Sequence, residues 1–389
     1  MILAIYAIFG MLFSLVICGF LKPQFVFSRR RCYNLTPTFY LSSKTAYFPW
    51  IVFLFFAFII FAVFREIDFG GIGGNDTIHF QRHFENAYLP LTQFLHYQQF
   101  EPLYGLFVWL IRQISSDFRF FLTIYYLIIF AIQVKILSKI KITKITIITY
   151  FSICFILILI SFSMMRGILA LFLTWFAYTS LNDKKYIKSL AWITVATLIH
   201  FAAAICYPVW LLCYLSDRKR FSLKRALIYW CFLFGLTFFL GRFVPNFLFF
   251  IDTRFYFYFD EDFNIGFNTF IGRSYLILLV IFRFNVLMQH NQMNRIMFIV
   301  LLSNLLVLPL QIVLPIMYRM LLMADLAVFF LIPELFHAYQ IRQKEYKEYF
   351  FSIAVHLSLF FYLFWGVFGF IRRTMIEYGL DNYSNILFS

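Results

Sequence analysis

Long apolar stretches separated by short polar segments dominate this chain. A helix that crosses the hydrocarbon core of a bilayer needs about 20 apolar residues, and somewhat fewer where the bilayer is thin. We predict an all-α transmembrane helical bundle of about 12 spans, within a range of roughly 11–14, folded as one integral membrane domain over residues 1–389. The stretches that approach the required length are 2–21, 48–64, 118–137, 145–162, 167–181, 187–199, 201–215, 226–243, 273–289, 296–314, 317–336 and 350–371.

The polar segments between these stretches differ in length. The loops 65–101 and 244–272 are long enough to contain short helices of their own. The segment 102–114 is too short for a span and fits a re-entrant or interfacial helix. The short stretches that meet at Arg166 and at His200 are interpreted as half-helices that do not cross the bilayer completely.

The composition is that of a protein dissolved in lipid. Hydrophobic residues make up 63% of the chain and charged residues 13%, whereas soluble domains contain about 25% charged residues. A water-exposed surface cannot carry so much apolar area without associating. The cysteines are scattered and show no disulfide or metal spacing, and the stretch 2–21 lacks the features of a cleaved signal peptide, so it is interpreted as a retained span.

The chain has a net charge of +15, and its basic residues cluster in alternate loops. Basic loops of membrane proteins remain in the cytoplasm, so the basic clusters place both termini and both long loops on the other side. The charge therefore predicts a topology and not a nucleic-acid partner.

The basic residues outside the cytoplasmic loops share one property. In this topology all 13 lysines lie at the cytoplasmic side, and the basic residues left over, in spans or outer loops, are 12 arginines. A guanidinium keeps its charge in a low dielectric and binds phosphate or carboxylate through two parallel hydrogen bonds. As a group, these arginines predict an anionic ligand at the outer face, although any single one could snorkel or pair with an acid. They are Arg65, Arg82, Arg112, Arg119, Arg166, Arg242, Arg254, Arg273, Arg283, Arg319, Arg372 and Arg373.

Three ionisable residues interrupt apolar sequence of membrane length: Arg166, His200 and Arg319. Such groups are costly at bilayer depth and by default indicate a functional cavity. The alternative for Arg319 is a structural ion pair with Asp325, one to two turns away. The alternative for His200 is a hydrogen bond to a backbone carbonyl at a broken helix.

Glu101 directly precedes Pro102 at the start of an apolar segment. Proline fits the first turn of a helix, and a carboxylate is stabilised at that positive end, which is a complete structural explanation. The functional alternative is a carboxylate at the membrane surface that acts as a general base. The nearby stretch GGIGGNDT lacks the ending of a phosphate-binding loop.

His79 and His83 are four residues apart and would share one face of a helix. The zinc signature HExxH requires Glu in its second position, where this chain has Phe80. We therefore expect these histidines to contact substrate or water and not a metal, and we expect no cofactor.

The order of these motifs resembles that of the EpsG/Wzy-type bacterial polysaccharide polymerases. That family has a G-x-G-x-D segment, a Glu before a short apolar helix, an Arg that opens a later helix, an H-x-S/A-A segment and a late Tyr-Arg turn. An extra residue displaces Asp76, Gly167 stands where Gln is usual, and Ala202 replaces a frequent Ser. The matching segments are Gly71–Asp76, Glu101, Arg166–Ala170, His200–Ala203 and Tyr318–Arg319.

The resemblance implies a metal-independent glycosyltransferase of O-antigen, lipopolysaccharide or exopolysaccharide biosynthesis. Such an enzyme transfers a growing glycan from undecaprenyl pyrophosphate to the terminal sugar of a lipid-linked repeat unit, at the periplasmic face of the bacterial inner membrane. Its partners would be the undecaprenyl-pyrophosphate-linked oligosaccharide, membrane lipid and a membrane protein that regulates chain length. Glu101 would be the catalytic base, with Asp76 as second candidate. The residues on pyrophosphate or sugar would be Arg166, Arg319, Arg273, Arg82, Arg254 and His200.

Two other functions remain open at this point. A flippase or exporter would use the same lipid-linked glycan without chemistry, but transporters usually contain two related halves, and this sequence shows no repeat. The second is an acyltransferase or a lipid-sugar glycosyltransferase of the outer leaflet. An acyltransferase would need a His-centred site reached from the cytoplasm, whereas the ionisable residues here lie toward the outer face.

Overall fold

The computed structural model describes residues 76–98, 101–139, 144–218, 222–241, 267–304 and 322–340, together with parts of 52–67 and 353–363. The secondary-structure elements of these residues are helices, which confirms the predicted all-α class. The stretch 2–21 and the loop 244–272 up to residue 266 lie outside the described residues, as do Arg254 and Arg319.

The chain forms two compact units, which are residues 1–169 with 360–389, and residues 170–359. The helices of the first unit whose bounds are described are α1 (Thr77–Asn86), α2 (Leu91–Gln98), α3 (Pro102–Ile114), α4 (Phe118–Leu137), α5 (Lys144–Ile160) and the start of α6 (Met165–Asn182). Further helical residues of this unit lie between positions 52 and 63. The division between the units falls within α6. Helices α1, α3 and α4 pack against one another, and α2 packs on α3.

The helices with described bounds that follow α6 are α7 (Tyr186–Ile199), a 3-10 helix (Phe201–Ile205), α8 (Cys206–Arg218), α9 (Leu223–Gly241), α10 (Phe267–Phe282), α11 (Phe284–His290), α12 (Gln292–Asn304) and α13 (Met323–Gln340). Among these helices of the second unit, α12 packs against α8, α9, α10, α11 and α13. In the core of this unit, Trp175 stacks on Phe329 with 6.0 Å between ring centroids.

One helix of the described residues, α4, is both long and apolar enough to cross a bilayer, with 20 residues and a mean hydropathy of 2.1. Its bounds are those predicted from the apolar stretch 118–137. Other described helices are apolar but shorter, with 10–17 residues, and they occupy predicted stretches such as 187–199. The helix positions therefore agree with the sequence pattern, while the number of about 12 spans stays a prediction.

The two predicted helix breaks are present. Residues 161–164 form a turn between α5 and α6, in which the Met164 backbone N–H donates to the Ile160 carbonyl at 2.9 Å. His200 has extended backbone angles, φ −152° and ψ 112°, and separates α7 from the 3-10 helix. In both places an ionisable residue lies at or next to the break, as the sequence indicated.

The corner before α4 follows from local capping. The Asp117 carboxylate accepts from the Arg119 backbone N–H at 2.9 Å and so satisfies one of the unpaired donors at the start of α4.

On α3, the Trp109 indole donates to the Leu89 carbonyl at 3.0 Å and the Gln113 amide to the Ala87 carbonyl at 3.1 Å. These bonds fix the α1–α2 connection against α3, whose first turn carries the candidate site.

Candidate functional site

Glu101 and Arg166 form an ion pair in the first unit. The Arg166 Nη1 atom lies 2.5 Å from the Glu101 Oε2 atom, although the two residues are 65 positions apart in the chain. Their side chains are 18% exposed for Glu101 and 29% for Arg166. Because both side chains are partly exposed, a ligand can reach them. The surrounding protein still lowers the local dielectric and so strengthens the attraction between the two charges.

The orientation of Glu101 is not that of a helix-capping carboxylate. Glu101 occupies the N-cap position of α3, and its carbonyl accepts from the Gly105 backbone N–H at 3.0 Å. Its side chain makes no capping hydrogen bond and is directed to Arg166 instead. Helix capping, the structural alternative for Glu101, therefore explains Pro102 and the backbone of this turn. It does not explain the position of the Glu101 carboxylate.

Arg166 is the second residue of α6, and tyrosines of α4 hold the backbone that precedes it. The Tyr125 hydroxyl donates to the Met165 carbonyl at 2.8 Å. The Tyr126 hydroxyl lies 3.0 Å from the Ser161 hydroxyl. Both tyrosines are fully buried, so the guanidinium of Arg166 extends from a backbone segment fixed by two buried side chains.

Helix α1 forms the third side of the site. The buried ring of Phe80 contacts Tyr104 edge-on with 6.3 Å between ring centroids, and Tyr104 lies one turn after Glu101 on α3. His83, one turn after Phe80, lies close enough to Arg166 to be affected by its charge. Arg166 therefore lies near both Glu101 and His83, although the three residues come from separate segments of the chain.

His83 is uncharged in this environment. Partial burial, followed by the positive charge of Arg166 and the proximity of His79, lowers the pKa of His83 to about 4. A neutral imidazole has one donor and one acceptor nitrogen, so it can bond a sugar hydroxyl or a phosphate without repelling Arg166.

Comparison with models of protein families identifies the family of this chain. The model of the EpsG family matches residues 50–380. The chain belongs to the EpsG family. This match covers every described residue of the site and confirms the family that the motif order predicted. Comparisons with curated proteins and with solved structures gave no significant match.

Membership of the EpsG family indicates a membrane protein with a function of the polysaccharide-polymerase type. The helical, apolar character of the described residues agrees with a membrane location. In that context the site combines a carboxylate, a guanidinium and a neutral imidazole. Such a set can accept a proton, neutralise a phosphate and orient a hydroxyl group.

The structure describes some of the other predicted site residues of this EpsG-family protein and leaves the rest outside the described part. Asp76 is partly exposed at the N-cap position of α1, without a capping bond from its side chain. Arg82 is exposed on α1. His200 belongs to the second unit, where its carbonyl accepts from the Ala203 backbone N–H at 2.9 Å. Arg273 lies on α10, and its side chain is outside the described residues, as are Arg254 and Arg319.

The structure adds detail to one sequence expectation and one residue to the site. The sequence indicated only that His79 and His83 contact substrate or water, and the structure places His83 near Arg166. Tyr104 is the residue without a sequence signal. The signal for His83 is its position three residues after Phe80, one of the apolar residues that this amphipathic helix buries. Among the described residues, no group of three or more His, Cys, Asp or Glu is placed to hold a metal ion.

The pKa of His83 leads to a prediction for stability. Because the folded-state pKa of about 4 is below the unfolded value of about 6.5, the unfolded chain binds more protons between these two values. The free energy of unfolding should therefore fall as the pH drops from about 6.5 to about 4. The variant His83→Gln should lose this component, so its unfolding midpoint should change less between about pH 7.5 and about pH 5.

The measurement is thermal unfolding of the purified protein in lipid nanodiscs at both pH values. His96→Gln is the matched control, because His96 is exposed on α2 in the same unit. It should retain the pH dependence of the original protein. Equal pH dependence in His83→Gln and the original protein would contradict the assignment of a partly buried, neutral imidazole.

Proposed function

We propose that this EpsG-family protein is a polysaccharide polymerase that uses undecaprenyl-pyrophosphate-linked donors. It transfers a growing glycan from undecaprenyl pyrophosphate to the terminal sugar of a lipid-linked repeat unit. The observation that supports this proposal best is the Glu101–Arg166 pair, which joins a proton acceptor to a phosphate-binding cation. The reaction requires both groups within a few ångströms of one sugar carbon.

The chemical step is a substitution at the anomeric carbon of the donor sugar. A hydroxyl oxygen of the acceptor sugar forms the new bond to that carbon, and the bond from the carbon to the pyrophosphate oxygen breaks. The electron pair of the broken bond leaves with undecaprenyl pyrophosphate. Arg166 stabilises the negative charge that builds on the leaving oxygen, and Glu101 takes the proton of the acceptor hydroxyl.

The ion pair also gives a reason for the order of events. A carboxylate that is bonded to a guanidinium is a poor proton acceptor, because the positive charge favours its ionised form. When a pyrophosphate binds, the guanidinium bonds to phosphate oxygens, and the carboxylate becomes a better base. Arg166 thus couples donor binding to activation of Glu101.

The remaining candidates have supporting roles in this proposal. Arg82, Arg254, Arg273 and Arg319 would bind pyrophosphate or sugar, His200 would orient them, and Asp76 is the second candidate for the base. The site would face the periplasm from the inner membrane, since the sequence topology places the loop 65–101 outside the cytoplasm. A membrane protein that regulates chain length is the further partner in this proposal.

The experiment that separates polymerisation from export is a deletion of this protein in its own host. A strain without a polymerase should still display single repeat units on its surface, whereas a strain without the exporter should display none. We therefore expect single units without longer chains, and restoration of the chains when the protein is supplied again. Absence of single units in the deletion strain would favour the flippase alternative.

A further inference from the structure

We infer that Arg65 is a positioning residue that fixes the backbone in front of Arg166, and that Thr77 links Arg65 to that backbone. This inference rests on the proposed function, because it assigns a role to residues that act through Arg166. The sequence placed Arg65 among the outer arginines that could hold an anion. The structure gives its guanidinium a different set of contacts.

Arg65 is buried, with 1% of its surface exposed. A side chain with so little exposed surface cannot bind a lipid pyrophosphate from outside. Arg65 follows helical residues that extend to position 63, and its Nη1 atom donates to the Ala62 carbonyl. It thereby satisfies a carbonyl at the end of that helix, where a cation is also favoured by the helix dipole.

The guanidinium of Arg65 connects this helix end to the turn before Arg166. Its Cζ atom lies 4.1 Å from the centroid of the Phe162 ring, the stacked arrangement that planar guanidinium groups favour. Its Nη2 atom lies 3.3 Å from the Thr77 hydroxyl, and that hydroxyl donates to the Phe162 carbonyl. Arg65 therefore contacts Phe162 directly through the ring and indirectly through Thr77.

Thr77 is the first residue of α1, the helix that carries His83. A single hydroxyl group therefore links three segments: the end of the helix before residue 65, the start of α1 and the turn 161–164. Thr77 is fully buried, so water does not compete for these bonds. Loss of the hydroxyl should shift the turn, and with it the guanidinium of Arg166, relative to Glu101.

The test uses Thr77, because replacing a buried arginine directly could unfold the protein. Thr77→Val has nearly the same volume and lacks only the bridging hydroxyl, while Thr77→Ser keeps that hydroxyl. Thr123→Val is the matched control, since the Thr123 hydroxyl bonds to the Arg119 carbonyl of its own helix, at 2.8 Å. Each variant is measured in nanodiscs well below its unfolding temperature.

The quantity measured is the affinity for undecaprenyl pyrophosphate, the proposed leaving group. Thr77→Val should bind it roughly tenfold more weakly than the original protein, and Thr77→Ser and Thr123→Val should bind it normally. In a protein that already carries Arg166→Lys, Thr77→Val should cause no further loss, because the group that it positions is absent. If Thr77 only stabilised the fold, Thr77→Val would lower the unfolding temperature equally in the original protein and in the Arg166→Lys protein. Its effect on affinity would then not depend on Arg166.

Two results would overturn the inference. The first is normal binding by Thr77→Val when Arg166→Lys binds weakly. The second is an equal loss of affinity from Thr77→Val in the original protein and in the Arg166→Lys protein. If the original protein itself fails to bind undecaprenyl pyrophosphate, the proposed function fails instead, so the two failures can be told apart.

Discussion

Replacing Glu101 by Gln should reduce polymerisation by about 10²- to 10⁴-fold, the usual contribution of a positioned general base. Gln has the shape of Glu and can still accept a hydrogen bond from Arg166, so the fold of α3 should be retained. It cannot take the proton of the acceptor hydroxyl. The measurement is the length distribution of surface glycan in cells that contain equal amounts of inserted protein.

The control for this variant is Glu85→Gln. Glu85 is exposed on α1, where it accepts from the Gln81 amide at 3.0 Å, and it has no part in the proposed chemistry. Glu85→Gln should therefore give chains of normal length. Normal chains from Glu101→Gln would exclude Glu101 as the base and would direct attention to Asp76.

Replacing Arg166 by Lys should lower polymerisation by about 10²- to 10³-fold, comparable to the loss of one strong donor to a developing negative charge. Lysine keeps the positive charge and can still pair with Glu101, so insertion and folding should be retained. It lacks the planar fork that bonds two phosphate oxygens at once. The loss should be visible both as shorter glycan chains and as weaker binding of undecaprenyl pyrophosphate.

Arg295→Lys is the matched control for Arg166→Lys. Arg295 is partly buried in the second unit, where its Nε atom donates to the Met288 carbonyl at 3.0 Å. The same change there should not affect chain length. If Arg166→Lys supported normal chains at normal protein levels, a phosphate-binding role for Arg166 would be wrong.

Local features of the fold were predictable because they depend on neighbouring residues. The apolar stretch 118–137 predicted α4, and Pro102 marked the start of α3. The ionisable residues Arg166 and His200 predicted the two helix breaks, since a charged or polar group interrupts an apolar helix where the chain leaves lipid. The motif order predicted the EpsG family, which the match over residues 50–380 confirms.

The contacts of the site were not predictable, because they depend on tertiary packing. No local pattern indicates that Glu101 meets Arg166 across 65 residues. The pattern also could not separate Arg65, which is buried against Phe162, from arginines that reach a ligand. The lowered pKa of His83 depends first on its partial burial and then on the nearby charge of Arg166, and both exist only in the folded chain.

The central claim is that the Glu101–Arg166 pair carries out glycosyl transfer from a lipid pyrophosphate. Its most direct test is the purified protein in nanodiscs, supplied with lipid-linked repeat units as the sole sugar source. We expect longer glycans together with one released undecaprenyl pyrophosphate for each new glycosidic bond, and neither product from Glu101→Gln. Glycan growth without release of undecaprenyl pyrophosphate, or unchanged growth in Glu101→Gln, would contradict the account.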